Sequence, residues 1–331
     1  MTNDSGPADW PQPNSAPAAP PPGGDAGATI RSIFLGPSGI RAGWRLLIFI
    51  AVFAVAAMGI QFVLVHIPYF KQLHDAAHTQ TQTMSPRVLL FGEGFTLLAL
   101  FIAAFVMALI ERRTFADYGL PGREAFGKRF LSGLPYGFAM LSLLLGAIGA
   151  LHGFSLGGMD ISMAQAWRYG IAYAFGFLLV GFFEEFSFRG YMQATLASGM
   201  GFWPAAILLS IVFGAIHLGN PGEAKFGALM AGSFGLLAAF SLRRTGSIWF
   251  AIGMHASWDW AETFFYSVPD SGMLAKGHLL NSSFHGPAWL TGGSVGPEGS
   301  LLAFVVLILG AIGIHFLFPA HDPASQPGVG S

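Results

Sequence analysis

Cysteine is absent from all 331 residues. That excludes disulfides, thiolate nucleophiles and cysteine-ligated metals. Charge is also scarce. Asp, Glu, Lys and Arg make up 10% of the chain against 53% hydrophobic residues, and the formal net charge is −1. The basic residues are scattered among connecting segments, so nothing resembles a nucleic-acid-binding surface. No Gly-x-Ser-x-Gly elbow and no His-Glu-x-x-His helix occurs, so serine-hydrolase and standard zinc-protease readings lack their motifs. No internal repeat suggests a transporter built from two related halves.

What is present is apolar sequence in long runs. The mean hydropathy is +0.57. Eight stretches, at about 44–66, 88–110, 130–151, 167–196, 203–217, 226–242, 247–267 and 300–318, approach the roughly 20 residues that span a bilayer. The expected fold class is therefore all-α, a polytopic membrane helical bundle of about eight transmembrane helices with a buried active-site cavity. Residues 1–28 are rich in Pro, Ala and Gly and are expected to be a disordered tail. The transmembrane domain then covers 29–320, with a long loop at 268–299 and a flexible tail at 321–331. With the N-terminus inside, the inner side collects Arg31, Arg41, Arg45, Arg112, Arg113, Arg123, Lys128, Arg129, Arg243 and Arg244. The outer side collects Lys71, Arg87, Arg168, Lys225 and Lys276. This imbalance predicts that both termini are cytoplasmic, with Trp44, Trp203 and Trp249 at the inner interface.

Against this background, ionisable residues inside spans stand out, because they are costly there and mark function by default. Glu184, Glu185 and Arg189 lie in the run Phe182-Phe183-Glu184-Glu185-Phe186-Ser187-Phe188-Arg189-Gly190. Glu185 and Arg189 are one helical turn apart and can pair. Glu184 is rotated by about 100° from Glu185 and is expected on a different face. Phe213-x-x-x-His217 and His255-x-x-x-Asp259 follow on later spans, Glu262 continues the second of these, and Glu93 stands alone in the second span. A hairpin turning near Ser198–Trp203 would put Glu184 and His217 at similar depth, each about 21 Å from the turn. His255 and Asp259 would lie roughly 12–18 Å along their own span from the same side. Singly, such residues can be structural: a buried Glu–Arg pair joins helices, and a membrane histidine can bond between them. Glu93 and Glu262 are expected to be structural or to line the cavity. Together, a carboxylate, histidines and a side-chain donor suit amide hydrolysis by an activated water.

The ordered set Glu184-Glu185-x-x-x-Arg189, Phe213-x-x-x-His217 and His255-x-x-x-Asp259 resembles the CPBP family. This is the group of CAAX prenyl protease 2-like and lysostaphin resistance protein A-like intramembrane endopeptidases, with bacteriocin-processing and self-immunity proteins among them. Arg189-Gly190-Tyr191-Met192-Gln193 and the upstream Gly39-Ile40-Arg41-Ala42-Gly43-Trp44-Arg45, typical of bacterial members, are similar too. The resemblance covers about 167–267. It implies an intramembrane endopeptidase of a bacterial inner membrane, acting on a peptide or membrane-protein substrate within the lipid bilayer. By motif position, Glu184 and His217 would activate water, His255 and Asp259 would form the oxyanion site, and Glu185 and Arg189 would support them. Asp259 departs from the Asn of prenyl-processing members; ionised Asp is only an acceptor, so it would serve the oxyanion site only when protonated, or indirectly by orienting His255. A glutamic-type mechanism without cofactor is expected, since the ligand spacing is not compact. The zinc alternative would use Glu184, His217 and His255. A different function on the same fold would be a non-catalytic membrane regulator or a bacteriocin self-immunity protein.

Overall fold

The computed structural model describes residues 32–36, 39–79, 83–219 and 225–319. The two expected tails lie outside the described residues. The chain is a polytopic helical membrane bundle. Its longer helices are α1 (Ala42–Val65), α2 (Pro68–Thr79), α3 (Pro86–Glu111), α4 (Lys128–Ala150), α5 (Met163–Glu185), α6 (Gln193–Met200), α7 (Phe202–His217), α8 (Lys225–Thr245), α9 (Trp249–Trp260) and α10 (Leu301–Leu317). Five helical stretches are long and apolar enough to cross a bilayer, and one of them runs unbroken from Met163 to Met200. Two more, Phe202–His217 and Leu301–Leu317, are shorter apolar helices. Each of the eight expected spans coincides with a helix, while α2 was not anticipated. Its residues include Lys71, His74 and Asp75, and its apolar character is too weak to read as a span.

Local chemistry explains several boundaries. Ser162 and Gln165 form a capping box that starts α5, and the Ser300 hydroxyl accepts from Leu302 N–H at the start of α10. Pro86 occupies the first turn of α3, where a missing N–H costs nothing. Gly201, at φ +85°, makes the one-residue turn between α6 and α7, a conformation most side chains avoid.

Helix α9 is the axis of the molecule. Every residue from Trp249 to Asp259 is buried, the mark of a helix enclosed on all sides. One core joins it to α4, α8 and α10 through Leu144, Phe234, Met254, Trp258 and Leu307. A second joins Ile252 to α1, α3 and the α5–α6 rod through Phe49, Met107, Phe186 and Tyr191. Close approach is possible because small residues face each other. A Cβ on Gly133 or Gly137 of α4 would collide with the backbone of α9 at Phe250 and Met254, and one on Gly253 would strike Phe130. Gly181 brings α5 near as well, with 3.2 Å from its would-be Cβ to Ala256 N. Exposed Val55, Phe62, Phe105, Trp167, Phe175 and Ile211 cover the outside, as lipid requires.

The two ends of the bundle are fastened differently. At one, Arg45 bonds Glu111 at 2.9 Å and also Ser198, while Tyr191 donates to Glu111 at 2.6 Å. At the other, the 268–299 loop is tied down by short ladders. Thr83–Met84 runs parallel to Leu274–Ala275, and Phe154–Ser155 antiparallel to Ser283–Phe284. The Tyr173 hydroxyl is shared between the carbonyls of Met84 and Lys276 at 2.9 and 3.0 Å. This loop is packed, not trailing.

Candidate active site

The α5–α6 rod and α9 meet at one imidazole. His255 Nδ1 lies 2.8 Å from Glu185 Oε1, so Nδ1–H donates to that carboxylate. Nε2 on the far side of the ring is 3.5 Å from Glu184 Oε2 and 3.6 Å from Asp259 Oδ2. Adjacent glutamates that were expected on different faces therefore converge on the two nitrogens of one ring. A histidine side chain is wide enough to bridge the 100° between them. Phe234 packs against the ring at 5.0 Å between centroids and limits its rotation.

Glu185 is anchored from behind. Arg189 Nη1 reaches its Oε1 at 3.2 Å, and Arg189 Nε donates to Gly235 O at 3.2 Å. The guanidinium also sits 4.3 Å from the Phe213 ring centroid, a cation–π contact. Gly235 is required here, because a Cβ would collide with Arg189 Nη2. The pair is buried, with side-chain exposures of 3% for Arg189 and 0% for Glu185, whereas Glu184 is 21% exposed. So one carboxylate of the pair is sealed and the other is partly exposed.

Backbone irregularity accompanies these residues. Phe186–Met192 is π-helical, beginning directly after Glu185, and a second π segment, Ala261–Phe265, begins two residues after Asp259. Each widens the helix and shifts the phase of the residues beyond it, a feature common at functional sites. Periodicity in the sequence does not reveal it, since the residues involved are ordinary helix and membrane residues.

His217 ends α7. Its Nδ1–H donates to Phe213 O at 2.7 Å and its ring lies tilted against Phe213, 4.5 Å between centroids. Among the described residues, no ion pair joins it to Glu184 or His255. It does share the electrostatic neighbourhood of Asp270 with Glu184 and His255. Asp270, in the loop after α9, was not singled out in the sequence; its only signal there is an acidic residue following Ser267-Val268-Pro269. It accepts from Thr263 Oγ1 at 2.9 Å, and burial raises its pKa above the ordinary carboxylate value. Glu93 of α3 also lies within electrostatic reach of Glu184. Glu262 is fully buried beside Asp259, Asp270 and Glu298, with the Trp258 indole N–H as its neighbouring donor. The Gly296 backbone closes over it, 3.4 Å from Oε1 to a would-be Cβ.

Among the described residues, no three His, Asp or Glu side chains are grouped so as to hold a metal ion. The bond to Phe213 O occupies Nδ1 of His217 and leaves its Nε2 as the free ring nitrogen.

Comparison with curated proteins and with solved structures gives no match. Residues 166–261 match a family model described as type II CAAX prenyl endopeptidase Rce1-like. That segment runs from the first turn of α5 through Asp259 and contains the Glu184–Glu185–Arg189, His217 and His255–Asp259 groups. Residues 166–261 are thus a domain of the Rce1-like CAAX endopeptidase family, carried within a helical membrane bundle.

Proposed function

We propose that the chain is an intramembrane endopeptidase of glutamic type, cleaving peptide or membrane-protein substrates in the bilayer. The observation that carries the reading is the asymmetry of the two glutamates around His255. Glu184 is the partly exposed carboxylate, and Glu185, fixed by Arg189, is the sealed one. Glu184 takes a proton from water, and the resulting hydroxide attacks the scissile carbonyl carbon. Negative charge develops on the carbonyl oxygen, and His255 Nε2–H, held by the Nδ1–H bond to Glu185, donates to it. Asp259 orients that ring. The C–N bond then breaks, and Glu184 returns the proton to the leaving nitrogen. His217 shares in water activation through Nε2, which is left as acceptor because Nδ1–H is spent on Phe213 O.

No step runs through a metal, in keeping with the dispersed ligand set. The charge imbalance between connecting segments supports both termini in the cytoplasm, and the resemblance of the Gly39–Arg45 stretch to bacterial members supports a bacterial inner membrane. Substrate trapping tests the function. Glu184→Gln is expressed in native membranes, and peptides retained by it are compared with those retained by the unsubstituted chain. Enrichment of intact membrane peptides that the unsubstituted protein cleaves is expected. Full cleavage by Glu184→Ala would sink the proposal. A cellular phenotype that survives loss of both Glu184 and His217 would favour a non-catalytic partner instead.

A further inference from the structure

Sixteen Lys and Arg residues are spread along the chain, yet three of them meet in one cavity far from the candidate active site. Arg87 lies in the first turn of α3, Arg168 near the start of α5, and Lys276 just after the Leu274–Ala275 strand. They line a cavity of about 420 Å³ together with Ser85, Leu90 and Tyr169, and no acidic residue contributes to its wall. Among the described residues, none of the three cations takes part in an ion pair. Arg168 precedes Glu184 by 16 residues of continuous helix, which separates the two places by about 24 Å.

The cavity has a fixed frame. Lys276 N–H donates to Met84 O at 2.8 Å, beside the parallel ladder of Thr83–Met84 with Leu274–Ala275. The Tyr173 hydroxyl clasps the same two segments. Gly277, at φ +76°, lets the Tyr169 ring lie 2.5 Å from where a Cβ would stand. The start of α3 adds to the positive field. It has no acidic residue in its first turn and no side-chain cap from Ser85, whereas α5 is closed by its Ser162–Gln165 box. Three cations and an open helix start without a counter-charge form a basin for an anion.

The lining changes character along each helix. Arg87 gives way to Leu90, and Arg168 to Ala172, about one turn (~5.4 Å) deeper. A cationic rim above an aliphatic wall matches an amphiphile, with phosphate at the rim and its glycerol and acyl root below. We propose that this cavity binds the phosphate of an anionic phospholipid headgroup. It is independent of the proposed hydrolytic function, since it shares no residue with that site.

The full chain, reconstituted in bilayers of phosphatidylcholine and phosphatidylglycerol, is extracted and its retained lipid counted by native mass spectrometry. The unsubstituted protein should retain phosphatidylglycerol about tenfold over its share of the bilayer. Arg87→Gln, Arg168→Gln and Lys276→Gln, made singly, should each lower that preference about fivefold, the worth of one cation at an anionic surface. All three side chains are exposed, so the variants are expected to stay helical and monodisperse. Lys71→Gln with Lys225→Gln, cations outside the cavity, should leave retention unchanged. Equal loss in that control pair, or no loss in the cavity variants, overturns the proposal. Inorganic phosphate that displaces the lipid as effectively as soluble short-chain phosphatidylglycerol would show a free-phosphate site and overturn it as well.

Discussion

Glu184 and Glu185 are joined by one peptide bond and separated by what their carboxylates touch. Glu185 is held by Arg189 and His255 and is sealed; Glu184 faces the other side of the His255 ring and is partly exposed. The two substitutions should therefore fail in different ways. Glu184→Gln should lower kcat about 10²–10⁴-fold, the usual contribution of a general base, with stability changed by no more than about 0.5 kcal/mol. Glu185→Ala should lose about 3–5 kcal/mol of stability, because it leaves the Arg189 charge buried with Gly235 O and aromatic faces as its partners among the described residues. Chemical unfolding and peptide cleavage on the same preparations separate the two outcomes. A chelator such as phenanthroline should leave kcat within about twofold, given the dispersed ligand set; a loss restored by added zinc would contradict the metal-free mechanism. The pairing of Glu185 with Arg189 was legible from their spacing of one helical turn. That Glu184 also turns toward His255 was not, because a helical wheel assigns directions to Cα–Cβ bonds and not to the ends of long side chains.

Among the elements, α4 and α9 depend on bare backbone at their crossing. Gly→Ala in a helix ordinarily stabilises by about 1 kcal/mol. At Gly137 the added carbon would run into Met254 O of α9, and overpacking of this kind costs about 1–3 kcal/mol. The collision should win, so Gly137→Ala is expected to lower the thermal midpoint and, by displacing α9, cleavage also. Gly146, on the same helix, has nothing within 4 Å of its would-be Cβ, so Gly146→Ala should leave the midpoint unchanged or higher. If both variants behave alike, the close-approach account fails. Helix positions followed from apolar runs and caps. The π segments at Phe186–Met192 and Ala261–Phe265 did not, because they arise where packing against neighbours outweighs the one-residue mismatch in the hydrogen-bond ladder.

For the molecule as a whole, the long loop after α9 brings Asp270 into the neighbourhood of Glu184, His255 and His217. Burial, the main cause, raises the Asp270 pKa above its ordinary 3.8 in the folded protein. Between the ordinary and the raised value the folded state binds more protons than the unfolded one, so stability falls as pH rises through that window. Hydrogen exchange over residues 267–280 should become faster across this window, beyond its intrinsic pH dependence. Asp270→Asn should remove that excess while leaving the loop closed. An unchanged profile in the variant would show that Asp270 is not the titrating group.

Composition and hydropathy alone determined a cysteine-free helical membrane protein, and the positions of its apolar helices. The reason is that a bilayer leaves a spanning chain few choices: about 20 apolar residues, every backbone group bonded within the helix, and few charges kept inside. The motif order also pointed to the family whose model matches residues 166–261. Only the tertiary structure decided which charges meet. It set Glu184 against His255 and left His217 turned to Phe213, and it gathered Arg87, Arg168 and Lys276 from three separate segments. Such meetings depend on helix rotation, side-chain reach and loop closure, which are set by contacts between residues distant in the chain.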